Sequence, residues 1–405
     1  MKKILLILFV GILWFPCVNV FAAPTAKSTE NGTGYSLALE GVIPLQNMPT
    51  RVAQDSADIY THGTIPGESP ITGELWDGDY LPMLVQISNP IGRVKVNGKF
   101  IESAGLGESA PWGIQFADII FEGILYRTGE TRISALFSDS FVFGEPAGGV
   151  GPVRSARTGQ VLLREEWQAG FVYAGGPRLS ENSIRSLFSQ TNVNEKGVLF
   201  DLIGSNFIDL KYRIKGAKAP DNYNADVVGM RSIIPSEYMA TPRPFLFAGA
   251  SPYLNTYDSA KSIHLDWGKK SSISHFVYDE AKNGYTRYCG ETMDPKKWAP
   301  YLIFAAVDER KDKYREQITF SNVIIQRVEY DYTDDNPSMP NMRGVGSGNA
   351  DIFIAGRYIP GYWIRNSMDT PTIFYDDQGN ELKLSRGKTF IAHFPHDSLC
   401  TYADH

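Results

Sequence analysis

The sequence predicts an α+β protein, with an N-terminal mixed α/β domain followed by a mostly β C-terminal domain. Three observations carry this prediction. Strand-like and helix-like segments mix from about residue 75 to 245. The stretch "ATPRPFLFAGASPY" (240–253) then has the proline and glycine density of a domain junction. Beyond it the chain is short β-branched and aromatic runs separated by turn signals.

The elements follow in order. Lys2 and Lys3 precede the apolar run Ile4–Phe15, and Val20 and Ala22 stand at the −3 and −1 positions of a cleavage site. This pattern predicts a secretory signal peptide over residues 1–22 and an exported protein, in the periplasm, cell envelope or extracellular space. No later stretch is apolar enough to span a bilayer. Residues 23–70 are rich in Ser, Thr, Gly and Pro and read as a flexible leader.

The N-terminal domain spans residues 71–250. "PMLVQISN" (Pro82–Asn89), "ADIIFEGIL" (Ala117–Leu125) and "TRISALF" (Thr131–Phe137) read as strands. "SARTGQVLLREEWQ" (Ser155–Gln168) reads as a helix capped by Ser155. "GFVYAGGP" (Gly170–Pro177) is a strand ending in a glycine turn, and Ser180–Gln190 is a second helix capped by Ser180. The β-rich domain spans 255–395, with a hairpin turn at "DDQGNEL" (Asp376–Leu382) and a helical insertion at Pro295–Glu316. Residues 396–405 read as a loose tail. Cys289 and Cys400 form one disulfide or stay as two thiols; the spacing allows either.

Hydrophobic residues make up 43% and charged residues 21%, enough apolar content to bury a real core. The formal net charge is −6, and losing Lys2 and Lys3 with the signal takes it to −8. This balance speaks against a broad nucleic-acid-binding face.

Several stretches together resemble the DUF3048 family: "PITG" (Pro70–Gly73), "ADIIFEG" (Ala117–Gly123), "GETRISALF" (Gly129–Phe137), "VGPVRSAR" (Val150–Arg157) and "YAGGP" (Tyr173–Pro177). In the second half, "NVIIQ" (Asn322–Gln326), "GSGNADIFIAGRYIPGYW" (Gly346–Trp363) and "TIFYDDQGNELKLSRGKTFIA" (Thr372–Ala392) add to the likeness. The resemblance implies an exported two-part protein and no particular activity. This chain departs from the family pattern at Ser88, where an aspartate is usual, at Ala110, where an arginine is usual, and at Asp221, where a histidine is usual.

The chemistry-bearing stretch is "GVGPVRSARTGQ" (Gly149–Gln160). Arg154 and Arg157 sit beside a predicted helix start, whose free N–H groups already carry positive partial charge. Two forked cations there suit a carboxylate or phosphate. The alternative is a clasp in which Glu122 or Asp118 pairs with Arg157. Asp118 and Glu122 lie four apart on a predicted strand, so they share a face. They would serve either glycosidase-like acid–base chemistry or the holding of Arg132 and Arg157. Gly175 and Gly176 would let a ligand approach the backbone, or form a tight turn.

Other signals are weaker. "GVGSG" (Gly344–Gly348) lacks a P-loop lysine and leads into a strand. "HFPHDSLC" (His393–Cys400) has ligand types without a metal-site spacing, and His264 and His275 are tied to no nucleophile. The sequence therefore predicts an envelope protein that binds an anionic polymer or saccharide. The proposed site is the sheet edge where Glu122, Arg132, Arg154, Arg157, Gly175 and Gly176 converge, with no cofactor and no metal. The alternatives are a cell-wall glycan hydrolase using Asp118 and Glu122, and a scaffold docking through an apolar patch on residues 255–400.

Overall fold

The computed structural model describes residues 43–45, 63–76, 78–138, 149–177, 183–190, 197–215, 217–304, 315–333 and 336–405. The proposed signal peptide and most of the proposed leader lie outside the described residues. The architecture is α+β, dominated by strands.

The centre is an 11-stranded mixed sheet. Its order runs Ile373–Asp376, Arg357–Arg365, Gly346–Ile354, Asn322–Thr333, Thr389–Pro395, Ile119–Ile124, Thr131–Phe137, Met83–Ile87, Gly170–Tyr173 and Leu199–Asp201, with Asn336–Arg343 hairpinned onto Asn322–Thr333. One strand joins the two halves of the sequence. Thr389–Pro395 pairs in parallel with Asn322–Thr333 on one side and with Ile119–Ile124 on the other. A second, seven-stranded sheet contains Ile43–Leu45, Cys400–Ala403, Ser262–Leu265, Ser274–Asp279 and Gly284–Cys289.

Strand alternation sends neighbouring residues to opposite faces of the large sheet. Ile120, Ile133 and Ala135 pack in one core with Ile263, Phe276 and Tyr285 of the second sheet. Ile119, Phe121 and Leu136 pack in another core with helices α1 (Thr158–Trp167) and α2 (Ile184–Phe188). The result is three layers, with the large sheet in the middle. Each fully buried Ile, Leu or Phe in these cores is worth about 1.5–3 kcal/mol.

Several expectations are corrected. The first helix begins at Thr158, with Arg157 rather than Ser155 at the cap position. Residues before it cannot turn helical because they are tied to the glycine turn: Ala174 N donates to Arg154 O and Ala156 N to Gly175 O, both at 2.9 Å. Gln160 Oε1 then accepts from Arg157 N at 2.6 Å and closes the helix start. The second helix is capped by Ser183, whose side chain accepts from Ser186 N; Ser180 lies outside the described residues.

The described part of the expected helical insertion, Pro295–Glu316, contains no α-helix. Leu302–Phe304 pairs antiparallel with Arg315–Gln317, and residues 305–314 lie outside the described set. Pro300 stands where a helix interior would run, and proline removes a helix hydrogen bond. Nor is the C-terminus loose. Cys400–Ala403 is an inner strand between Ile43–Leu45 and Ser262–Leu265, with Cys400 and Tyr402 buried.

The cysteines are two free thiols. Cys400 pairs with Leu265, Leu265 with Ser274, and Ser274 with Cys289, so two strands intervene. Three inter-strand steps separate the pair by about 14 Å, beyond disulfide reach.

Candidate functional site

The site lies on the helix-side face of the large sheet. Gln86 pairs with Ser134 across two strands, and Ser134 Oγ donates to Gln86 Oε1 at 2.7 Å. Two residues along the same face stands Arg132, which is 3% exposed. Its Nη1 donates to Ser155 O at 3.2 Å, so the arginine reaches the segment between Arg154 and Arg157. Arg154 N donates to Gln86 O at 2.9 Å, fixing that segment against the sheet. Arg157 folds back, and its Nη1 donates to Ala156 O at 2.8 Å while its guanidinium stands 6.0 Å from the Tyr126 ring.

Three guanidiniums are thereby gathered with little negative charge. Among the described residues the only carboxylate in ion-pair contact with them is Asp221, whose Oδ1 is 3.1 Å from Arg154 Nε. Burial pushes the Arg132 pKa down to about 9, and the neighbouring Arg157 and Arg154 charges push it the same way. Arg157 is lowered too, again chiefly by burial. Among the described residues three buried donor atoms of this region have no hydrogen-bond acceptor: Gln86 Nε2 and the Nε atoms of Arg132 and Arg157; Arg154 Nε is met by Asp221. Leaving such groups unpaired costs about 1–3 kcal/mol each, more when charged.

A small cavity of about 20 Å³ opens beside them, lined by Arg132, Ser134, Arg157, Gln160, Tyr330 and His393 among others. It is large enough for about one water-sized group. His393 is driven down to about 3 by burial and by the Arg365 charge, so it adds no positive charge at neutral pH. The outer part is more open, because Arg154 and Asp221 are about a quarter exposed, at 26% and 29%.

The glycine turn meets this cluster through the backbone. Gly175 takes a left-handed φ of +70°, and its N donates to Asp201 Oδ1 at 2.9 Å. A Cβ on Gly176 would meet Ile184 Cδ1 at 2.5 Å and Ala156 O at 3.0 Å. A side chain at 176 would therefore have to displace Ile184 and press on the backbone of the arginine segment at Ala156.

The two carboxylates expected here belong elsewhere. Gly123, not Glu122, pairs with Arg132, so Glu122 emerges on the opposite face of the sheet. There it is held by Arg287, with Nη1 at 2.7 Å from Oε2 and Nη2 at 3.2 Å from Oε1, and it accepts from Asn89 and Thr131. Burial alone would lower the Arg287 pKa, but Glu122 leaves it above its ordinary value. Asp118 accepts from Ser138 N and Oγ at 2.7 and 2.8 Å. Both carboxylates are 1% exposed and occupied by neighbouring groups, which leaves neither to act as a glycosidase acid or base and leaves no Glu122–Arg157 clasp.

Ser88 and Asp221, which depart from the family pattern, belong to the arginine cluster. Ser88 Oγ donates to Asp221 Oδ1 at 2.6 Å, on the same oxygen that meets Arg154. Two of the three departures from the family pattern are thus one contact pair. Ala110 lies apart from it, packed with Trp112 and Phe304. Among the described residues no group of three or more His, Cys, Asp or Glu side chains is placed to hold a metal ion. His264 and His275 meet at 2.8 Å between their Nδ1 atoms and are buried. Residues 255–405 show a single exposed large hydrophobic among the described residues, Val345, so the apolar docking patch of a scaffold is not formed by them.

Two family models match the chain: the N-terminal domain of a protein of unknown function (DUF3048) over residues 107–240, and its C-terminal domain over 263–391. Together they span more than half of the chain. The chain belongs to the DUF3048 family. All three arginines, the glycine turn and Asp221 fall within the match to the DUF3048 N-terminal domain, whereas Gln86 and Ser88 precede it. The YerB protein from Bacillus subtilis, a solved structure, has a similar fold at 20% identity. The TM-score is 0.56, with 81% of this chain and 96% of that one covered. No curated protein matches this DUF3048 chain.

Proposed function

We propose that this protein binds an anionic ligand, carrying a carboxylate or phosphate, at the Arg132–Arg154–Arg157 cluster, and that it does so as an exported protein of the cell envelope. The observation that carries the reading is the set of buried donors without acceptors among the described residues, two of them the guanidinium Nε atoms of Arg132 and Arg157. Arginine forks match oxyanion geometry, and a buried guanidinium without a counter-charge is costly until one arrives. A neutral sugar fits less well, because its hydroxyls donate as well as accept and the cluster supplies mainly donors. Export rests on the Lys2–Lys3 start, the apolar run Ile4–Phe15 and the Val20–Ala22 cleavage pattern.

A thermal-shift series tests the binding reading. Sodium phosphate, sulfate and citrate are expected to raise the Tm of the wild type above that in sodium gluconate, and neutral disaccharides are not. The double variant Arg154→Ala, Arg157→Ala is expected to lose most of the anion response. An equal response in the double variant would remove the arginines from the reading. N-terminal sequencing of the protein from a native host tests export, with Ala23 as the expected first residue; a retained Met1 would contradict cleavage.

A further inference from the structure

The charge balance of the cluster narrows the ligand. Arg132, Arg154 and Arg157 carry three positive charges, and Asp221 is the only carboxylate in ion-pair contact with them among the described residues. Other carboxylates nearby are committed. Asp201 accepts Gly175 N and Ile203 N, Glu122 is bound to Arg287 on the far face, and Asp118 is bound to Ser138. Asp221 is itself fixed, because Ser88 Oγ donates to the oxygen that faces Arg154. Among the described residues two guanidiniums, Arg132 and Arg157, are left without a carboxylate, and each keeps a buried, unpaired Nε.

Resting on the anion-binding reading, we infer that the site is matched to a dianionic phosphate monoester, with Asp221 as the residue that sets this charge. The two uncompensated charges equal those of a monoester above its second ionisation, near pH 6. A phosphodiester or a single carboxylate brings one charge and leaves one buried guanidinium unpaid. Asp221 neutralises Arg154 in part, so the site demands two negative charges rather than three.

Titration calorimetry of the full mature chain tests this with phenyl phosphate, dimethyl phosphate and acetate. Phenyl phosphate is expected to bind at least tenfold tighter than either monoanion at pH 7.5. Its affinity is expected to fall about tenfold at pH 5, where about a tenth of it remains dianionic. His393, which lines the adjoining cavity, stays neutral across that range and does not imitate the effect. Asp221→Asn is expected to tighten phenyl phosphate several-fold and, by freeing the Arg154 charge, to widen the gap to the monoanions, because an added positive charge attracts a dianion more than a monoanion; circular dichroism confirms that the variant is folded. Glucose 6-phosphate and vesicles containing phosphatidate offer the same group in soluble and lipid form, and retention of either supports the assignment and identifies the source. Equal affinities for phenyl phosphate and dimethyl phosphate, or weaker phosphate binding by Asp221→Asn, would overturn the charge assignment while leaving anion binding standing. If none of the three probes binds, the anion-binding reading itself falls.

Discussion

Replacing Arg132 with methionine should stabilise the ligand-free protein. The side chain is 3% exposed, and burial, joined by the neighbouring Arg157 and Arg154 charges, lowers its pKa from 12.5 to about 9. Keeping it charged in that setting costs on the order of 5 kcal/mol. Methionine fills a similar length without charge. It gives up the bond from Nη1 to Ser155 O, a charge-assisted contact worth about 2 kcal/mol. The net gain is about 3 kcal/mol, a Tm rise of several degrees for a chain of this size. The assay is urea unfolding in sodium gluconate, followed by the same curves with added phosphate. Wild type should gain stability from phosphate, as any ligand that binds only the native state confers. Arg132→Met should start higher and gain little. A variant that is less stable than wild type without phosphate would refute the reasoning, because it would show that Arg132 is already compensated within the fold.

Two further predictions concern the rest of the fold. Glu122→Gln should destabilise the protein by about 3–5 kcal/mol in urea unfolding, because it strands Arg287 between the two sheets; a loss under 1 kcal/mol would contradict a structural role for the pair. Acid should unfold the protein through three buried histidines. Burial lowers His264 to about 2, His275 to about 4 and His393 to about 3, with the charge of His275 also pressing on His264 and that of Arg365 on His393. Unfolded histidines take up protons near pH 6.5, so below that value the unfolded chain holds more protons than the folded one. Stability is therefore full above pH 7 and falls as pH drops, by up to about 4 kcal/mol per pH unit while all three differ. Urea midpoints that stay level from pH 7 to pH 5 would contradict this.

The arginine motif and the glycine turn were legible in the sequence because their chemistry is local. Two arginines three apart beside glycines, followed by a helix-like run, need no long-range knowledge. The partner of the motif was not legible. Whether Glu122 or Gly123 faces Arg132 depends on strand register, and a shift of one residue exchanges the two faces. Arg287, which holds Glu122, is 165 residues away in the chain and carries no local mark. Ser88 and Asp221 each stood out only as departures from a family pattern, and their 2.6 Å contact spans 133 residues. The helix start moved from Ser155 to Thr158 for a related reason. Ser155 is a good cap by type, but the hydrogen bonds of Arg154 and Ala156 to the Ala174–Gly175 segment hold it in an extended run. The sequence separated two halves at a Pro- and Gly-rich junction, yet the large sheet passes through both. The parallel contact between Thr389–Pro395 and Ile119–Ile124 leaves no periodic signal in either segment.

The most direct measurement is the position of a heavy tetrahedral dianion in crystals soaked with sodium tungstate. The account predicts an anomalous peak within hydrogen-bond reach of Arg132 Nε and Arg157 Nε, with Asp221 still against Arg154. Tungstate bound only elsewhere, with these donors facing water, would contradict it.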